Sequence, residues 1–118
     1  MEDGILKTVK AALGIGEDDE SFDVELIMHV NSALSILDQL GVGTTDGFFI
    51  EDDSDEWDSL LEGDPRLNLV KQYVFLKVRE LFDPPATSFH LEALKTRIAE
   101  YEWRIVNRPI PSEVVSNG

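Results

Sequence analysis

Apolar residues recur at helical spacing through most of the chain. Ile5, Leu6, Val9, Ala12 and Leu13 share one face of a helix predicted over residues 2–13, and Gly14 stands where a left-handed C′ residue would close it. From Phe22 the apolar positions step through Leu26, Val30, Ala33, Leu37 and Leu40, with Ile27, Leu34 and Ile36 widening the stripe. This second helix should end at Gly41. Between the two helices, Gly16 supplies a turn, and the acids of GIGEDDES sit where the positive N-terminal end of a helix favours them.

The period fails in GVGTTDGFFIEDDSDEW. Phe48, Phe49 and Ile50 read as a loop pinned to the core, with a short extended piece as the alternative. Ser54 is expected to N-cap a short helix, DEWDSLLEG, by accepting the Trp57 N–H; Trp57 and Leu61 form its apolar face and Gly63 ends it. Asp64 and Pro65 then read as the N-cap and first residue of a helix over residues 66–82. Leu67, Val70, Val74, Val78 and Leu81 line one face of that helix, and Leu69, Tyr73 and Leu76 line another. A helix apolar on two sides is either central in its bundle or covered by a neighbouring subunit, so Leu69, Tyr73 and Leu76 are candidates for subunit packing.

The stretch ELFDPPATSFHLEAL is a hard corner. Asp83 precedes proline, which drives it out of the α region and ends the helix; Pro84 and Pro85 stiffen the turn, and Ser88 is a candidate cap for the next helix. Leu91, Leu94, Ile98, Tyr101 and Ile105 form the stripe that packs that helix back as an antiparallel hairpin. Beyond it Pro109 and Pro111 forbid helix, and Val106, Ile110, Val114 and Val115 have no local cover, as in a frayed end or an arm that adds to a partner. The expected fold is all-α: a small bundle of four to five helices over residues 1–105, with an extended C-terminal arm over 106–118.

Charge sharpens this picture. The net charge is −14, but the imbalance is local: no Lys or Arg lies between Ala11 and Pro65, where the acids run from Glu17 to Asp64, whereas bases slightly outnumber acids after Pro65. Such a segment repels phosphates, which argues against DNA binding by counterion release there. It is a solvated surface, a face for a basic partner, or a wall past which DNA slides. The absence of cysteine excludes disulfides, thiolate zinc sites and cysteine nucleophiles. The N-terminus lacks the apolar core of a secretory signal, and LIMHVNSALSIL is too broken to span a bilayer, so a soluble intracellular protein with no membrane partner is expected. His29 and His90 are far apart and read as structural or surface histidines, and no nucleophile elbow or phosphate-binding glycine loop is present. EDDSDEWDSLLEG fails as a calcium loop, because Trp57 falls on a ligand position and Asp58 on the turn glycine. Neither an enzyme nor a cofactor or metal is expected.

The order LKTVKAALGIGEDDESFDVELIMHVNSALSILDQLGVG, an FFI and acidic tryptophan segment, then DPRLNLVKQYVFLKVRELFDPPATSFHLEALKTRIAEYEWRI resembles the small head-tail connector proteins, also called adaptor or head completion proteins, of tailed bacteriophages and prophages. The resemblance covers residues 4–105 and is most distinctive in NSALSILDQLGVG and KQYVFLKVRELFDPPATSFHLEAL. It implies a ring, usually of twelve subunits, beneath the portal. Such a ring extends the DNA channel, helps retain packaged DNA and docks stopper or tail-completion proteins. The protein would be assembled in the host cytoplasm and reside in the virion neck. Double-stranded DNA would pass through without specific binding. Asp52, Asp53, Asp55, Glu56 and Asp58 are then candidates for facing the lumen or a partner. Arg104, Ile105, Val106, Arg108, Ile110, Val114 and Val115 are candidates for an arm that binds the portal protein. The rival reading is a monomeric acidic binding protein, such as a DNA mimic that inhibits a nucleic-acid enzyme.

Overall fold

Each amphipathic stripe becomes a helix. The computed structural model describes residues 4–42, 48–61 and 66–107. In chain order these form α1 (Ile5–Leu13), α2 (Asp23–Gln39), α3 (Trp57–Leu61), α4 (Leu67–Phe82) and α5 (Ser88–Asn107). Among the described residues there is no strand, only an isolated antiparallel bridge between Gly4 and Glu56. The fold is an all-α bundle, as the periodicity requires.

The two-sided helix is the centre of the bundle. α4 packs along α2 on one side and α5 on the other, with α1 against both α2 and α4. Val70, Val74 and Val78 are fully buried, and so is Tyr73, with Leu76 nearly so. Leu26, Val30, Ala33 and Leu37 of α2, Ile5, Leu6 and Val9 of α1, and Leu94, Ile98 and Ile105 of α5 complete one continuous core. Tyr73 therefore serves the protomer's own core and has no surface left for a neighbouring subunit; Leu76 is nearly buried but keeps a small surface in the cleft between α4 and α5, and Leu69 is half-buried.

Glycine closes both early helices. Gly14 has φ 79° and Gly41 φ 88°, conformations that cost an L side chain roughly 1 kcal/mol or more. At each, two backbone bonds reach back to the last turn: Gly14 to Ala11 and Ile15 to Lys10, then Gly41 to Asp38 and Val42 to Leu37. This Schellman pattern satisfies carbonyls that would otherwise lack partners, and after α2 it buries Val42 beside Leu37.

Other ends differ from expectation. Ser54 does not cap α3: its hydroxyl and N–H both donate to Asp52, and the short helix begins only at Trp57. Among the described side chains Trp57 and Leu60 are buried and anchor it, while that of Leu61 lies outside them. α4 begins after Arg66 without a side-chain cap, while Gly63, Asp64 and Pro65 lie outside the described residues. α5 is capped by Thr87, not Ser88. The Thr87 hydroxyl oxygen accepts the His90 N–H at 3.2 Å, and its carbonyl accepts the Leu91 N–H at 3.0 Å. Asp83, at φ −146° and ψ 67°, ends α4 by leaving the α region, which a following proline disfavours. Finally, α5 runs to Asn107, so Ile105 is a fully buried core residue rather than part of an arm, and Arg104 and Val106 are helical.

The irregular segment is pinned, as its apolar triplet suggested, but polar chemistry does the pinning. The Asn31 side chain accepts the Ile50 N–H at 2.7 Å and donates to the Ile50 carbonyl at 3.0 Å, the pairing that a strand neighbour would offer. Ile50 is buried beneath it. Further along, the Ile5 N–H donates to the Asp55 carbonyl at 2.9 Å, and the Trp57 indole N–H donates to the Thr8 hydroxyl at 3.2 Å. The loop is thus stitched to the start of α1 and the middle of α2.

Candidate functional site: a charge-divided surface

The acidic loop presents its charge outward because its backbone is already satisfied. Asp55 is half-buried and its carboxylate accepts the Glu51 and Asp52 N–H groups at 2.8 and 3.3 Å, which makes it a structural acid. Asp52, Asp53, Glu56 and Asp58 are exposed. The hydroxyl and then the backbone N–H of Ser54 hold the Asp52 carboxyl below its ordinary range, so this charge persists into mildly acidic solution. Phe49, at the start of the same loop, is 62 % exposed.

A second surface lies at the α4–α5 corner. Phe75 and Arg79 of α4, Pro85 of the turn, and His90, Ala93 and Arg97 of α5 line a cleft of about 490 Å³. His90 Nδ1 sits 2.7 Å from the Thr87 hydroxyl, so the ring is held by the cap of its own helix. Phe89 stands exposed beside it. At the opposite end of the hairpin, Leu69, Trp103, Arg104 and Asn107 line a smaller cleft of about 240 Å³. Trp103 is 67 % exposed there, and Arg104 lies 3.7 Å from Glu100, a loose surface pair. Arg108, Ile110, Val114 and Val115 lie outside the described residues.

Two buried polar features were not read from the sequence. Lys10 is almost wholly buried, and its ammonium lies 2.9 Å from the Asp23 carboxylate and 3.3 Å from the Glu17 carbonyl, tying the C-terminal part of α1 to the start of α2. The Tyr73 hydroxyl donates to Glu102 at 2.8 Å across the α4–α5 interface. Burial, then that carboxylate, raise the phenol pKa well above its ordinary value. His29 meets Glu25 at 3.4 Å and the edge of the Phe82 ring, a supporting role that matches its reading as structural.

Among the described residues, no group of three His, Asp or Glu side chains could hold a metal ion, and no helix is long and apolar enough to cross a membrane. Among the described residues the bundle is all-helical and carries exposed aromatic side chains, Phe89 and Trp103, at the two ends of its hairpin. Comparison with protein families makes the class specific: the model described as phage connector protein matches residues 5–108, from the start of α1 to just past α5, and the chain belongs to that family. The family is structural rather than catalytic, and its members are components of the virion. No curated protein and no solved structure matches the chain.

Proposed function

We propose that this connector acts at the head-tail junction, as a ring of about twelve copies beneath the portal that extends the DNA channel and docks a stopper or tail-completion protein. The family match across all five helices is the observation that carries the reading. The charge distribution supports it. Acids grouped on one part of each protomer would give a ring a wall that repels phosphate, so packaged DNA is retained by the assembly yet slides through it without adhering. Glu56 and Asp58, whose side chains are exposed, suit the lumen.

Portal attachment falls to the chain beyond α5. Because Ile105 belongs to the core, the attaching segment starts after Asn107, with Arg108, Ile110, Val114 and Val115 as its contact residues and the Trp103–Leu69 cleft at its root. Incubating the protein with portal-bearing, tailless capsids and imaging the vertex by cryo-EM tests the reading. A ring coaxial with the portal is expected, and deletion of residues 108–118 should abolish attachment while leaving helical content unchanged. A protein that ignores the capsid and instead inhibits a nucleic-acid enzyme as a monomer would replace the connector reading with that of a DNA mimic.

A further inference from the structure

The described arginines are not equal. Arg104 has Glu100, and Arg66 also has a partner, but Arg79 and Arg97 have no carboxylate within ion-pair reach among the described residues. In a chain of net charge −14, two arginines left without an acid are unexpected, and both line the same corner cleft. Between them Phe75, Pro85 and Ala93 make the lining mostly apolar, with Thr87 and His90 as its neutral polar members. The cleft is therefore a greasy slot with a basic rim, which selects an apolar side chain flanked by acids. The chain itself carries such a segment. Phe49 projects with most of its surface uncovered, and Glu51, Asp52 and Asp53 follow it, all exposed.

We infer that the corner cleft receives the Phe49 loop of a second copy of this chain, with Arg79 and Arg97 facing Asp52 and Asp53 of that copy. Donor and acceptor are different surfaces of the protomer, so the contact is head-to-tail and repeats without exhausting itself, closing into a ring when the rotation permits. This deepens the ring reading above by naming the surfaces that would join its subunits, and it assigns Asp52 and Asp53 to a neighbouring subunit, leaving Glu56 and Asp58 for the lumen. The acidic loop can afford this role because Asn31, Asp55 and Trp57 hold it rigid beforehand, so little ordering entropy is lost on docking.

The chain contains no cysteine, which gives engineered thiols a clean background. Full-length Glu51→Cys and Ala93→Cys chains, both exposed positions that leave Phe49 in place, are mixed with a short bismaleimide, in solution at high concentration and on portal-bearing capsids. Far-UV circular dichroism verifies folding, and Ala12→Cys on α1 is the control for random collision. A crosslinked dimer from the mixture, and a ladder from the chain carrying both cysteines, are expected. Arg79→Glu with Arg97→Glu in the Ala93→Cys chain should lower the yield by roughly tenfold, and Asp52→Arg with Asp53→Arg in the Glu51→Cys chain should restore it. Yields no better than the Ala12→Cys control in both settings overturn the contact, as does capture of another virion protein in place of the Glu51→Cys chain. The contact and the connector reading fail separately: rings on the portal without the 51–93 crosslink remove only the contact, whereas a crosslinked ladder from a chain that ignores portals removes only the reading.

Discussion

The acidic loop and the α4–α5 hairpin are stabilised by different chemistry. The hairpin is held by apolar stripes meeting along two long helices, with Leu76, Leu94 and Ile98 buried on them and a proline corner fixing the turn. The loop over residues 48–58 contributes little to the core beyond Ile50 and Trp57, and is held by backbone and indole N–H groups that donate to Asn31, Asp55 and Thr8. Fold stability and surface charge are thereby separated along the chain: acids can accumulate on the loop because the core does not need those positions to be apolar. The hairpin can leave two arginines without partners because its packing holds it without them.

The sharpest way to break that contrast is to remove the loop's largest anchor. Trp57→Ala should cost about 3–5 kcal/mol in urea unfolding, whereas Asp52→Asn with Asp53→Asn, on the surface of the same loop, should leave the urea midpoint nearly unchanged. A large loss from the double Asn variant would show the acids to be structural.

Next in size is the buried pair that joins the first two helices. Lys10→Ala leaves Asp23 without its ammonium and should cost about 2–3 kcal/mol, below the range for a wholly buried pair because the Asp23 side chain keeps 26 % of its exposure. Its thermal midpoint, measured in low and high salt, should fall by the same amount in both, since a buried pair is poorly screened.

Across the hairpin, Tyr73→Phe should cost about 1 kcal/mol at neutral pH through the lost Glu102 hydrogen bond. Because the folded phenol pKa is raised above its ordinary value of 10.0, the unfolded chain gives up that proton first. The phenol's contribution is therefore intact below about pH 10 and is lost as pH rises further, by up to about 1.4 kcal/mol per pH unit. Tyr73→Phe should flatten that alkaline decline, and an unchanged slope of stability against pH would place the decline elsewhere. Smallest of all, Pro84→Gly and Pro85→Gly should each cost about 0.4–1 kcal/mol by loosening the unfolded chain at the corner, read as a lowered thermal midpoint in the double variant.

The same contrast explains what could be read from the sequence. Stripes in α2, α4 and α5 repeat, so their helices and buried faces were legible, and a glycine after a stripe marks a left-handed closure without ambiguity at Gly14 and Gly41. Caps were less so: Thr87 and Ser88 are both good cap residues, and only the observed bond to the His90 N–H decides between them. The Ser54 hydroxyl could accept the Trp57 N–H or donate to a nearby carboxylate, and it donates to Asp52. The Asn31 fork joins residues nineteen apart, and Lys10 meets Asp23 across a turn; single polar contacts of this kind leave no periodic trace. Tyr73 and Leu76 looked free for a neighbour because a second apolar face does not reveal which helix covers it, and α5 does. The arm was placed too early because Val106 and the prolines drew the boundary to Ile105, whereas core packing carries the helix to Asn107.

The most direct measurement is a cryo-EM map of portal-bearing capsids decorated with this protein, at a resolution that shows side chains. The expected map has a ring coaxial with the portal in which Phe49 of each protomer enters the Arg79–Arg97 cleft of the next, with Glu56 and Asp58 turned toward the channel. A vertex without such a ring would contradict the connector account at its centre.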